Sequence, residues 1–215
     1  MSTLEDITTA IEKGKMNEIE GLVQQAIDEG IEPKAILNDG MIKAMDEVGE
    51  NFSAGKIFVP EMLIAARTMS MGTEVLKPYL AEAGSEPIGK AVIGTVKGDM
   101  HDIGKSLVRM MVEGKGIEVD DLGVDVAPEA FVDYLKQHPD CQLVLCSALL
   151  TTTRNAIGDT IKAIEEAGLR DQVKIMVGGA PVNQEFCDQV GGDCYTDDAG
   201  AAATEAARLL KEMAA

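Results

Sequence analysis

From residue 3 to about residue 83, apolar side chains recur every three or four positions, as in Ile19, Leu22, Val23, Ala26 and Ile27 and again in Ile36, Leu37, Met41, Ile42, Met45 and Val48. That period lines them along one face of an α-helix, and the β-branched runs that favour strands are almost absent. Turn-forming residues at 14–16, 30–33 and 53–56 divide the stretch into four helices. Ser2 and Glu5 have the spacing of a capping box, and Pro60 suits a first helical turn. Because the connections are short, neighbouring helices should run antiparallel, which predicts an all-α four-helix bundle.

The stretch Ala83-Gly84-Ser85-Glu86-Pro87-Ile88-Gly89 collects small and turn-forming residues and reads as a linker, with a hinge around 84–89. Beyond it, short apolar runs alternate with amphipathic segments. Strands are expected at 91–96, 117–122, 143–147, 174–177 and 194–196, and helices at 103–115, 128–137, 152–167, 182–190 and 199–213. Strand and helix alternate five times, and parallel neighbours need a crossover connection. The pattern therefore predicts a doubly wound α/β fold with a five-stranded parallel sheet, order 2-1-3-4-5, and helices on both faces. A boundary near residue 88 gives a helical domain at 1–88 and an α/β domain at 89–215.

Composition narrows the partners. The 215 residues are 46% apolar, enough for real cores. The net charge of −18 repels phosphate backbones and anionic lipid, so neither nucleic acid nor a membrane is expected as a partner. Residues 1–90 hold 16 acidic and 8 basic side chains and residues 91–215 hold 21 and 11, so neither half is a basic arm. Aromatic residues make up 3% and tryptophan is absent, which removes the usual stacking platforms. No apolar run has signal-peptide or membrane-span length, and the expected location is the cytoplasm. Cys141, Cys146, Cys187 and Cys194 match neither a redox pair nor a zinc set and read as reduced thiols.

In an open parallel sheet a ligand sits beyond the carboxyl ends of the strands where the order reverses, here between the first and third strands. The first is followed by Lys97-Gly98-Asp99-Met100-His101-Asp102-Ile103-Gly104-Lys105-Ser106, and the third ends at Ser147 and continues into Ala148-Leu149-Leu150-Thr151. Gly98 with Gly104-Lys105-Ser106 approaches a phosphate-binding loop, but five residues instead of four separate the glycines, and Asp99 and Asp102 would aim negative charge at a phosphate. Asp99-x-His101-x-x-Gly104 makes better sense as a metal-ligating histidine whose second ring nitrogen is held by a carboxylate, with Ser147 close enough to bond that carboxylate. A plain loop hydrogen bond is the bland alternative. One histidine cannot hold a bare ion tightly. His138, the other one, sits at a helix end and reads as a capping or solvent-exposed residue, so most of the coordination would have to come from a cofactor.

Three elements recur in order beyond predicted strands: Asp99-x-His101-x-x-Gly104, Ser147-x-Leu149 and Gly178-Gly179. In these the chain resembles the cobalamin-binding module shared by methionine synthase, the small corrinoid proteins of methylamine and methanol methyltransferase systems, and some mutases. Residues 1–85 resemble the helical cap that precedes this module. The resemblance implies a Rossmann-like, flavodoxin-like B12-binding domain that binds cobalamin or a related corrinoid with its own base displaced from cobalt. His101 would be the lower axial ligand, and Asp99 and Ser147 the relay that adjusts its proton content. Met100, Asp102, Ile103 and Gly104 would lie in the cofactor loop; Ser147, Leu149 and Thr151 would line a slot for the nucleotide tail, with Gly104, Gly178 and Gly179 making room for it. Two readings stand for Thr151 to Thr153, tail binding and a helix N-cap, and the glycines can also be ordinary turn residues. Phe58 and Met62 or Leu63 are candidates for the corrin upper face, with bundle core as their alternative.

By the same resemblance the chain would be a methyl carrier without substrate domains of its own. It would depend on a substrate-specific methyltransferase, on an acceptor methyltransferase that passes the methyl group to a thiol or a reduced pterin such as tetrahydrofolate, and on a reductive activase. Other readings are the cobalamin subunit of an adenosylcobalamin mutase, which would normally lack the cap, a cobalamin-dependent sensor, which would normally add a basic DNA-binding segment, and a flavodoxin-like domain without a cofactor, which leaves Asp99, His101 and Ser147 unexplained.

Overall fold

The computed structural model describes residues 2–84 and 87–214, so Ser85 and Glu86 of the expected linker lie outside the described residues. The chain forms two compact units, Met1–Pro87 with Glu113–Gly116, and Ile88–Val112 with Ile117–Ala215.

The first unit is helical: α1 (Thr3–Glu12), α2 (Met16–Asp28), α3 (Pro33–Ala35) running through a π-helical segment (Ile36–Ile42) into α4 (Lys43–Ser53), and α5 (Val59–Glu82). The predicted caps form. Ser2 Oγ accepts from Glu5 N–H at 3.4 Å while the Glu5 carboxylate accepts from Ser2 N–H at 2.8 Å. Pro60 lies in the first turn of α5, where the Glu61 carboxylate accepts from Phe58 N–H. Periodicity does not reveal the π-helical segment, within which the Gly40 carbonyl accepts from the Thr8 hydroxyl of α1 at 2.9 Å. Ile7, Ile11, Ile19, Val23, Met41, Met45 and Leu76 are fully buried, each worth about 1.5–3 kcal/mol of transfer free energy.

The second unit contains a five-stranded, all-parallel sheet in the order β2-β1-β3-β4-β5. Its elements are β1 (Lys90–Thr95), α6 (Ile103–Glu113), β2 (Glu118–Asp121), α7 (Pro128–Gln137), β3 (Leu143–Ser147), α8 (Asn155–Glu166), β4 (Lys174–Gly178), α9 (Gln184–Val190), β5 (Cys194–Tyr195) and α10 (Ala199–Met213). Val92, Val144, Cys146, Ile175 and Val177 pack on Phe131, Leu135, Ile157, Ile161 and Phe186 from α7, α8 and α9. The alternate residues Ala91, Ile93, Leu143, Leu145 and Met176 are as well buried and face the other side, where the right-handed crossover from β1 to β2 puts α6.

Several edges differ from the pattern for identifiable reasons. Helix α6 stops at Glu113 because Gly114 and Gly116 follow, the latter at φ +79°. Helix α9 starts at Gln184, capped by the Asn183 side chain, which accepts from Phe186 N–H. Strand β1 ends at Thr95, Val96 making only an isolated bridge to Val126. Helix α8 begins at Asn155, three residues late, because residues 151–154 close a turn on the Leu150 carbonyl.

Candidate functional site

The register aligns Thr95, Ser147 and Gly178 across β1, β3 and β4 at the carboxyl edge, so the three loops that follow converge. In the first, Gly98 at φ +83° turns the chain and Asp99 N–H returns to the Val96 carbonyl. The Asp99 side chain is fully buried yet well supplied with donors. Its Oδ1 accepts from His101 Nδ1 at 2.8 Å and His101 N–H at 3.1 Å; its Oδ2 accepts from the Thr153 hydroxyl at 2.6 Å, Leu149 N–H at 2.7 Å and Leu150 N–H at 3.3 Å. Burial alone would raise the carboxyl pKa, but the Thr153, Leu149 and His101 donors outweigh it and hold the group well below the usual carboxylate range.

An ionised Asp99 fixes the imidazole tautomer. Nδ1–H is the donor to that carboxylate, and Nε2, the other ring nitrogen, has no protein hydrogen-bond partner among the described residues. The ring is half exposed. Met100 (68% exposed), Leu149 and Leu150 from the same two loops and Ile103 (74%) from the start of α6 present large apolar side chains. A nitrogen donor in an exposed apolar surround suits a large, mostly apolar ring carrying a metal, which would cover those side chains and take the free nitrogen.

The glycines divide into two kinds. A Cβ at Gly104 or Gly178 would meet nothing within 4 Å, so both border open space, as a slot for a cofactor's tail requires. At Gly179, φ is +116° and a Cβ would stand 1.8 Å from the Ala148 carbonyl oxygen, so that glycine is needed by the backbone itself.

One expected contact is replaced. Ser147 lies half-buried in the sheet edge and makes no bond to Asp99; the hydroxyl on Asp99 is that of Thr153. The turn at 151–154 folds back over the edge and carries Thr153 to the carboxylate, whereas Ser147 is held in register between Thr95 and Gly178. Thr153 thus neither caps α8 nor faces solvent, and Thr151 and Asp102 are exposed. The three consecutive threonines were the only sequence signal for this role. Lys105, the lysine of the phosphate-loop reading, is buried on Asp121 and unavailable to a ligand. His138 occupies the C-cap of α7, stacked on Tyr134, with Nδ1 2.9 Å from the Tyr134 carbonyl. In the helical unit, Phe58 is 68% exposed, Leu63 is half-buried and Met62 is buried.

Residues 89–208 match a family described as B12 binding domain, and residues 3–77 match a second family of the same description. The chain is similar to a dimethylamine corrinoid protein of Methanosarcina barkeri, 39% identical over 208 residues and covering 96% of this chain and 97% of that protein. It is also similar to a trimethylamine corrinoid protein of Methanosarcina acetivorans, 42% identical over 180 residues and covering 83% of each. Among solved structures, a cobalamin-binding protein from Desulfitobacterium hafniense superposes with a TM-score of 0.82 at 30% identity, covering 96% of this chain and 98% of that one. A chain of the methanol:cobalamin methyltransferase complex from Methanosarcina barkeri superposes with a TM-score of 0.85 at 28% identity, covering 97% and 80%.

Proposed function

Because the chain belongs to the B12-binding family of corrinoid proteins, we propose that it is a methyl carrier that binds cobalamin or a related corrinoid with His101 as the lower axial ligand. The observation that carries this reading is the imidazole itself, locked through Nδ1 to a buried carboxylate with Nε2 left open among exposed apolar side chains. When bound, the corrinoid supplies a cobalt centre that takes up and gives away a methyl group.

The chain's own residues prepare that centre. Asp99 Oδ1 holds the Nδ1 proton and makes Nε2 a better donor; Thr153 and the Leu149 N–H hold Asp99 in turn. Met100, Ile103, Leu149 and Leu150 would lie against the macrocycle and keep water from the ligand, while the open space at Gly104 and Gly178 would take the nucleotide tail. In the helical unit, Phe58 is an exposed aromatic side chain and Leu63 is half-buried while Met62 is buried, so by exposure Phe58 and Leu63 remain the candidates for contact with a corrin and Met62 serves the bundle core.

Its partners on this reading are a methyltransferase that loads the methyl group from a one-carbon donor, a second that passes it to a thiol or reduced pterin, and a reductase that restores the reduced metal. Among the described residues no helix is long and apolar enough to cross a membrane. The four cysteines are free and buried, in keeping with a reducing cytoplasm.

The test is a cobalamin titration followed by visible spectroscopy. The wild type should bind one corrinoid per chain in a histidine-ligated form, and His101→Ala should lose that spectrum; no uptake by the wild type sinks the reading. Methyl iodide given to the reduced, loaded protein should yield a methyl group transferable to a thiol by a methyltransferase. A radical rearrangement supported by adenosylcobalamin, without such transfer, would point to a mutase subunit instead.

A further inference from the structure

The loop that carries His101 is fastened at both ends by side chains that never touch the imidazole, and we propose that these two residues, Thr95 and Asp125, are positioning residues for the axial ligand. The proposal rests on the reading of His101 as that ligand. Thr95, the last residue of β1, is fully buried, and its hydroxyl donates to the His101 carbonyl at 2.8 Å. Asp125 lies in the connection from β2 to α7 and holds the other end twice. Its Oδ1 accepts from Gly98 N–H at 2.6 Å, and its own N–H donates to the Asp99 carbonyl at 2.9 Å.

Making both bonds requires an unusual backbone. Asp125 sits at φ +54°, in the left-handed region that residues other than glycine seldom adopt and that Asp and Asn tolerate better than most. The segment around it is itself sewn to the sheet: the Gly123 carbonyl accepts from Thr95 N–H, and Val126 N–H donates to the Thr95 carbonyl. Both anchors therefore lead back to the end of one buried strand. With Gly98 N–H, the Asp99 carbonyl and the His101 carbonyl all fixed, what freedom remains to the imidazole is its own side-chain torsions, and the Asp99 bond restrains those. Removing either anchor lets the loop sample conformations in which the ring is off its mark, and the fraction of ligated metal falls.

The experiment loads full-length Thr95→Val, Thr95→Ser, Asp125→Ala and Asp125→Asn proteins with cobalamin. It reads retention on gel filtration, the visible spectrum, and the nitrogen splitting in the electron paramagnetic resonance of the cobalt(II) form. Thr95→Val and Asp125→Ala should keep the cofactor while the ratio of ligated to unligated cobalt drops about tenfold, the size expected for one lost charge-assisted or buried hydrogen bond. Thr95→Ser and Asp125→Asn, which keep the donor and the acceptor, should restore it. A wild-type ratio in both Thr95→Val and Asp125→Ala overturns the proposal. Should Thr95→Val fail to fold, the Asp125 pair decides, since that residue is exposed.

A second arm uses the protein without cofactor. Leu149 N–H donates to Asp99 Oδ2 and is touched by neither substitution, so its hydrogen exchange should quicken in Thr95→Val and Asp125→Ala. If the wild type takes up no cobalamin, the functional reading fails and this arm alone decides the brace: unchanged exchange overturns it. Where cobalamin does bind, the ligation ratio decides.

Discussion

Five donors converge on the Asp99 carboxylate, and the strongest consequence at the scale of single residues is that this acid stays ionised although no water reaches it. Thr153→Ala removes one of those donors and leaves a buried anion short of a partner. It should cost about 2 kcal/mol in urea denaturation, with Thr153→Ser recovering most of it. The depressed pKa also sets a pH dependence. A carboxyl whose folded-state pKa lies below its unfolded value of about 3.9 confers stability that is complete above that value and is lost as pH falls through it toward the folded-state value. Wild-type stability should therefore decline below about pH 4, and Asp99→Asn should start less stable and decline less steeply over the same interval; equal slopes would contradict this account.

At the scale of elements, the site is the meeting of three strand ends, and the glycines there test which space is structural and which is kept open. Gly179→Ala forces a Cβ against the Ala148 carbonyl at an unfavourable φ, so it should destabilise the α/β unit by more than about 2 kcal/mol in chemical denaturation. Gly104→Ala and Gly178→Ala meet open space, so stability should change by less than about 1 kcal/mol. If the nucleotide tail occupies that space, the same two changes should weaken cobalamin binding about tenfold or more, in line with the cost of overpacking a filled cavity. Unchanged affinity would place the tail elsewhere. The elements themselves were largely legible from their rhythm. Strand β3 and helices α7 and α10 fall where the pattern puts them, because period and caps are local signals. The start of α8 was not, because the turn at 151–154 is held partly by the bond from Thr153 to Asp99, 54 residues earlier in the chain.

For the whole molecule, the cofactor should be a stabilising ligand of the folded state. Cobalamin at about 100 times its dissociation constant should raise unfolding free energy by about 2.7 kcal/mol, seen as a concentration-dependent rise in melting temperature. The rise should be smaller for His101→Ala, and its absence in the wild type would contradict corrinoid binding. The charge of −18 belongs to this scale too, since it adds a net repulsion between the chain and any polyanionic surface.

The sequence by itself determined the helical character of the first half, the parallel sheet, and the pairing of the histidine with its carboxylate. Each of these is written in spacing along the chain: a period of three to four, alternation of strand with helix, and two residues from Asp99 to His101. Tertiary structure alone decided that Thr153 and not Ser147 holds that carboxylate, that Gly179 serves the backbone while Gly178 borders a space, and that Asp125 and Thr95 grip the loop. Those choices depend on which groups three separate loops bring within about 3 Å, the reach of a hydrogen bond. That distance is set by the strand register and the folding back of each loop, and no local pattern of residues encodes it.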